Sequence, residues 1–316
     1  MLENLLDPTI LCFVVGLIAG MVKSDLRLPA STYDFVSMYL LLALGFRGGV
    51  QLAQVSGNTL LYPLMGTLLI SMFTPLLSYF ILTRLGRIDR PNAGSIAAHY
   101  GSVSAVTLAT AMTFLKNRSV EFEPFIVALM VLMEIPAICL GIFLAKGGIK
   151  AVENKRKLLR DILLGKGVFL LLSGLSIGML SGPEKMKALN PLFDDCFKGF
   201  LALFLLELGV ITARQFSYLK KTGVFLIGFG LLMPLFSGTI GLLVGYLVQL
   251  SPGGSMLLAI LSASSSYIAA PTALKMAVPE ANPVLSLTPS LAVTFPFNIT
   301  IGIPLFYQLS QFLYGI

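Results

Sequence analysis

Two hydroxyl-rich stretches hold the polar groups best placed to meet a ligand: His99-Tyr-Gly-Ser-Val-Ser-Ala-Val-Thr107 and Ser262-Ala-Ser-Ser-Ser-Tyr-Ile-Ala-Ala-Pro-Thr272. Neither contains Asp, Glu, Lys or Arg. If a membrane helix breaks at such a stretch, the N-terminus of the following half-helix offers free N–H groups and about half a positive charge. That end seats a small anion. Carbonyls freed at the same break, with serine hydroxyls, suit a hard cation such as sodium. The anion-site candidates are Gly101, Ser102, Ser104 and Thr107 with Ser262, Ser264, Ser265 and Ser266. The competing account is tight helix packing, with each Ser or Thr bonding back to its own helix. A matched pair of stretches, with Pro271 denying a backbone N–H just beyond residues 264–266, favours breaks.

Acids inside apolar segments default to functional suspects because a buried charge is costly. Glu134 precedes Ile135-Pro136, and with Thr294, Asn298 and Thr300 it forms the candidate sodium set. Its alternatives are cation coordination or protonation on one side and a structural hydrogen bond on the other. Glu207 reads as structural, since its counterpart in the other half is Ala43. His99 is the only histidine, and a packing role is favoured for it over a proton relay. Cys12, Cys139 and Cys196 are too far apart for metal-ligand spacing and read as apolar fillers, with no disulfide or transition-metal site. There is no H-E-x-x-H pair, G-x-S-x-G elbow or P-loop, so an enzyme is not expected and neither is an organic cofactor.

The elements that must position these residues follow from composition. The 316 residues are 56% hydrophobic and 12% charged, with mean hydropathy +0.88. A soluble domain carries about a quarter charged residues. Apolar runs near the roughly 20 residues needed to cross a bilayer recur along the chain. The expected fold is an all-α polytopic membrane protein with ten transmembrane helices. They cover residues 8–22, 33–47, 60–83, 94–115, 124–145, 167–180, 197–213, 222–250, 256–276 and 285–313, with the first, second, sixth and seventh short for a bilayer. The first is read as a retained span rather than a signal peptide.

Most of the 22 basic residues then fall on one side, above all Lys146, Lys150, Lys155, Arg156, Lys157, Arg160 and Lys166. The other side holds Arg47, Lys116, Arg118, Lys185, Lys187 and Lys198. The positive-inside rule puts the richer side in the cytoplasm and both termini outside. It also accounts for the net charge of +7 without nucleic acid. The central basic segment is an orientation signal or a docking surface for a regulator or anionic lipid headgroups.

The halves resemble each other. Gly16-Leu-Ile-Ala-Gly20 answers Gly174-Leu-Ser-Ile-Gly178, and the stretch ending at Gly45 answers the one ending at Gly209. Pro75-Leu-Leu-Ser78 answers Pro234-Leu-Phe-Ser237, Ser102 and Ser104 answer Ser262 and Ser264, and Pro136 answers Pro296. All five matches keep chain order at an offset of about 160 residues. Five spans per half is odd, so the halves are inverted, the plan of many secondary transporters. The organisation expected is a five-helix repeat over 1–146, a cytoplasmic linker over 147–166 and an inverted repeat over 167–316, with helices 4 and 9 broken and crossing.

Gly101-Ser-Val-Ser-Ala-Val-Thr107, Met133-Glu-Ile-Pro-Ala137 and Ala263-Ser-Ser-Ser-Tyr-Ile-Ala-Ala-Pro271 together resemble the sodium-dependent bicarbonate transporters of cyanobacterial type and their bacterial relatives. So do Pro279-Glu-Ala-Asn-Pro283 and Phe295-Pro-Phe-Asn-Ile-Thr-Ile-Gly-Ile-Pro304. The resemblance implies sodium-driven bicarbonate uptake in a bacterial inner membrane, a homotrimer, and substrate held between helices 4 and 9. It carries the serine motifs onto Ser102, Ser104, Ser262, Ser264, Ser265 and Ser266, and the acid before Ile-Pro onto Glu134 in place of Asp. Where the cyanobacterial members follow the serine run with Asp, this chain has Tyr267. Their PII-like regulator is a further implied partner, although the central loop here is shorter. Bile-acid:sodium symporters, which share a ten-span inverted repeat, give the alternative substrate class of organic anions.

Overall fold

The computed structural model describes residues 6–55, 57–148 and 155–316, all helix and connecting turns with no strand among them. Seven helices are long and apolar enough to cross a membrane, and two apolar helices, Pro8–Met21 and Pro252–Ala263, are shorter. In chain order we label α1 Pro8–Met21, α2 Ala30–Leu52, α3 Gly57–Arg84, α4 Arg90–Gly101, α5 Ala105–Lys116, α6 Ile126–Lys146, α7 Lys155–Leu163 and α8 Lys166–Met186. Then come α9 Phe197–Thr222, α10 Val224–Leu247, α11 Pro252–Ala263, α12 Ala269–Ala277 and α13 Pro283–Tyr314. Residues 149–154 of the basic linker lie outside the described residues.

Helix starts are written in capping residues. The Asp7 carboxylate accepts from the Thr9 amide at 2.9 Å, with Pro8 as the first helical residue. Ser251 caps α11 through the Gly254 amide at 3.1 Å, with Pro252 next. Each device supplies an acceptor to a helix N–H that has no partner in its own helix. Proline in the interior of α13 removes ladder bonds, and the helix continues through π-type turns at Pro289–Thr294 and Asn298–Gly302.

The second and seventh spans are not short, since their helices run 23 and 26 residues, whereas α8 leaves the helical path at Gly182 (φ 68°, ψ 173°) and its unbroken part is short as expected. Hydropathy underestimated the second and seventh because they continue through polar ends such as Ser31 and Gln51 in α2 and Arg214 and Gln215 in α9. The first remains short at 14 residues.

Two helix pairs approach through glycine. α2 packs on α8, where a Cβ on Gly45 would lie 2.9 Å from the Gly174 Cα. α1 packs on α9, where a Cβ on Gly209 would lie 2.2 Å from the Phe13 carbonyl oxygen. No real Cβ tolerates such distances, so glycine is required for these backbones to touch. Small residues fill this role between membrane helices.

Candidate substrate and ion site

Two chain segments leave the helical path inside the expected fourth and ninth spans. Between α4 and α5 the break covers residues 102–104, and between α11 and α12 it covers residues 264–268. The halves before each break are 12 residues long. Ser102 ends the first at φ −82°, ψ 174°, and Ser264 ends the second at φ −83°, ψ 169°. The same backbone solution therefore occurs twice, two residues away from the register that matched Ser102 with Ser262. Ser262 is still inside α11, where its hydroxyl bonds the Leu258 carbonyl at 2.8 Å. Pro271 does not end α11. It falls in the first turn of α12, where a missing N–H costs little.

The breaks are bonded to each other. The Ser104 amide donates to the Ser264 hydroxyl at 2.9 Å, and the Ser266 amide donates to the His99 carbonyl at 2.8 Å. The His99 Nδ1 lies 2.6 Å from the Ser266 carbonyl, which can only accept, so Nδ1 carries the proton. His99 and Ser266 thus hold each other through a backbone bond and a side-chain bond in opposite directions. The packing role expected for His99 takes this specific form.

Ser104 is the hub of the first break. Its hydroxyl donates to the Tyr267 phenol at 2.9 Å and accepts from the Thr107 amide at 3.1 Å and the Thr107 hydroxyl at 2.9 Å. Ser266 does the same for α12, accepting from the Ala270 amide at 3.1 Å. Gly101 has a packing reason for its size, since a Cβ there would lie 2.7 Å from the Pro75 ring.

Both second halves open on one cavity of about 20 Å³, lined by Ser104, Ala105, Glu134, Ser266, Tyr267 and Ala269 among others. The volume admits one water-sized species. The N-terminal turns of α5 and α12 bring partial positive charge to it. Glu134 is buried and makes no hydrogen bond or ion pair among the described residues. Its carboxyl group shares the cavity with the hydroxyls of Ser104, Ser266 and Tyr267 and the N-terminal turns of α5 and α12. Leu41, Gly167, Ile268 and Ala269 also line a wider vestibule of about 170 Å³, whose charged residues are Asp34, Asp161 and Lys166.

The structure does not gather the four sodium candidates. Thr294 is bonded to the Tyr100 phenol at 2.8 Å and the Gly230 carbonyl at 2.7 Å. Thr300 bonds the Pro296 carbonyl of its own helix at 2.6 Å. Neither lines the Glu134 cavity. Asn298 sits against the second break through its Nδ2, which donates to the Ala263 carbonyl at 2.8 Å, and its Oδ1 is buried without a partner. The hydroxyls of Ser102 and Ser265 are likewise buried and, like Asn298 Oδ1, have no hydrogen-bond partner among the described residues. Ser102 and Ser265 each lie within two residues of a bond that ties the breaks together, and Asn298 reaches the second break through Ala263. Glu207 is structural as expected, accepting from the Leu28 amide at 2.6 Å.

Three groups of His, Cys, Asp or Glu close enough for a metal ion do not occur among the described residues. The model of the Na+-dependent bicarbonate transporter superfamily matches residues 8–311. No curated protein matches the chain.

Proposed function

Because the chain belongs to the Na+-dependent bicarbonate transporter superfamily, we propose that this multi-pass membrane protein takes up bicarbonate together with sodium by alternating access. The observation that carries the proposal is the pair of matched, mutually bonded helix breaks around a buried, unpaired carboxylate. The anion sits at the N-terminal turns of α5 and α12, against Ser104, Ser266 and Tyr267. Sodium sits within reach of the orphaned oxygens of Ser102, Ser265 and Asn298 or at Glu134, and its charge offsets that of the anion.

The architecture we propose is ten spans in two inverted repeats, 1–146 and 167–316. Its support is symmetric packing. Gly45 meets Gly174 as Gly209 meets Gly16, and these four are among the glycines matched between the halves. The rocking unit is the pair of broken helices, held together by His99 and Ser266, moving against the wall formed by α2 and α8. The distribution of Lys and Arg supports external termini, and the family supports a bacterial inner membrane and a homotrimer.

The narrow cavity favours a small anion over a bile-acid-sized one. Uptake of labelled bicarbonate into proteoliposomes, set beside uptake of a labelled bile acid, tests the substrate class. Bicarbonate uptake is the expected result. Robust organic-anion uptake with no bicarbonate flux overturns the proposal.

A further inference from the structure

A second cavity lies at the far end of the same wall. The vestibule is lined by Tyr33, Asp34 and Ser37 near the start of α2 and by Lys166, Gly167 and Val168 at the start of α8. At the other ends of these helices, Arg47, Gln51, Pro183 and Met186 line a cavity of about 260 Å³ together with Lys116. Tyr33 and Gln51 are roughly 27 Å apart along α2 at 1.5 Å per residue. The central cavity lies between them, at Leu41 and Leu171. Three cavities therefore follow one wall from face to face. α5 joins two of them, since Ala105 lines the central cavity and Lys116, its last residue, lines the far one.

The two end cavities differ in charge. The vestibule carries two carboxylates and one ammonium, and Lys166 is paired to Asp34 at 3.1 Å. The far cavity carries Arg47, Lys116 and Lys187 against Asp194. Arg47 is committed, because its guanidinium bonds the Asp194 carboxylate and the Phe193 carbonyl and lies 4.1 Å from the centre of the Phe197 ring. Lys187 is paired with Glu184 at 2.9 Å. Lys116 is the lining cation with no ion-pair partner among the described residues. A single ammonium in a concave site next to a committed guanidinium concentrates monovalent anions. Gln51 adds a discriminating group, for it lines the cavity and its Oε1, covered by the protein, has no hydrogen-bond partner among the described residues. An acceptor in that state favours a ligand that brings a donor. Halide and nitrate bring none, whereas an oxyanion that keeps one hydroxyl does.

We infer that this cavity is an outer loading site for a hydroxyl-bearing monovalent oxyanion, with Lys116 as its cation and Gln51 as its acceptor. The inference deepens the proposed transport function and rests on it. An anion held at Lys116 is one helix length from the N-terminal turn of α5, the seat proposed for it at the breaks.

The test measures initial rates of bicarbonate uptake against external concentration, using the full chain in proteoliposomes. Lys116→Gln is expected to raise the half-saturation concentration about five-fold and to weaken its dependence on ionic strength. At saturating bicarbonate its rate approaches that of the unaltered chain, and Lys116→Arg restores most of the affinity. Gln51→Leu is expected to narrow the preference for bicarbonate over nitrate as a competitor. If the unaltered chain transports bicarbonate while Lys116→Gln keeps its half-saturation within about two-fold, the loading site is wrong and the transport proposal stands. A loss repaired neither by arginine nor by high bicarbonate is a folding defect and also overturns the site. If the unaltered chain moves no bicarbonate at all, the transport proposal itself fails.

Discussion

Ser104 makes three side-chain hydrogen bonds and its amide makes a fourth to Ser264. Ser104→Ala removes the first three and leaves the Tyr267 phenol and Thr107 hydroxyl short of a partner, at about 1 kcal/mol or more for each broken pair. We expect roughly ten-fold weaker bicarbonate binding with near-normal expression, and Ser264→Ala should follow in the same direction. Normal transport by both variants would make the breaks packing features only. His99 gives a sharper comparison. His99→Asn retains an N–H near the Nδ1 position and should keep the bond to the Ser266 carbonyl, whereas His99→Leu cannot. Uptake by the asparagine variant is expected to exceed that of leucine at least several-fold, and equal losses would show that only side-chain volume matters there. The serine stretches themselves were legible because hydroxyl-rich, charge-free runs in apolar spans are unusual. The reciprocal bond of His99 was not legible. A lone histidine carries no spacing signal, and its partner is a backbone carbonyl 167 residues away.

At the scale of the helix, the glycine contacts decide whether paired helices can touch. Gly174→Val places a branched side chain against the Gly45 backbone and is expected to destabilise the fold by about 1–3 kcal/mol or more. Gly199→Ala, with nothing within 4 Å of the added Cβ, serves as the matched control. Thermal unfolding in detergent separates them, and equal melting temperatures would contradict the close packing of α2 on α8. Gly16, Gly45, Gly174 and Gly209 could be read from the sequence as repeated small residues, but not as partners. Periodicity says which face of a helix is small, not which helix it meets. Pro271 marked the break correctly but from its far side. Proline marks a place where a helix N–H is absent, and that holds equally for the end of one helix and the first turn of the next. The offset of the serines slipped by two residues because the run 262–266 offers several serines, and only the backbone angles at Ser102 and Ser264 choose among them.

At the scale of the whole molecule, the positions of most helices followed from apolar runs alone, and the sequence motifs by themselves resembled those of a transporter family. What hydropathy could not supply was the line of three cavities along α2 and α8, because their lining residues come from segments far apart in the chain. That line is the course we propose for alternating access, with the bonded breaks at its centre. The central claim is that sodium entry drives bicarbonate through that centre. Its most direct measurement is accumulation of labelled bicarbonate in proteoliposomes under an inward sodium gradient, compared with vesicles in which potassium replaces sodium. The account expects accumulation above the external concentration with sodium, collapsing when an ionophore dissipates the gradient. Equal uptake in potassium, indifferent to the ionophore, would contradict it.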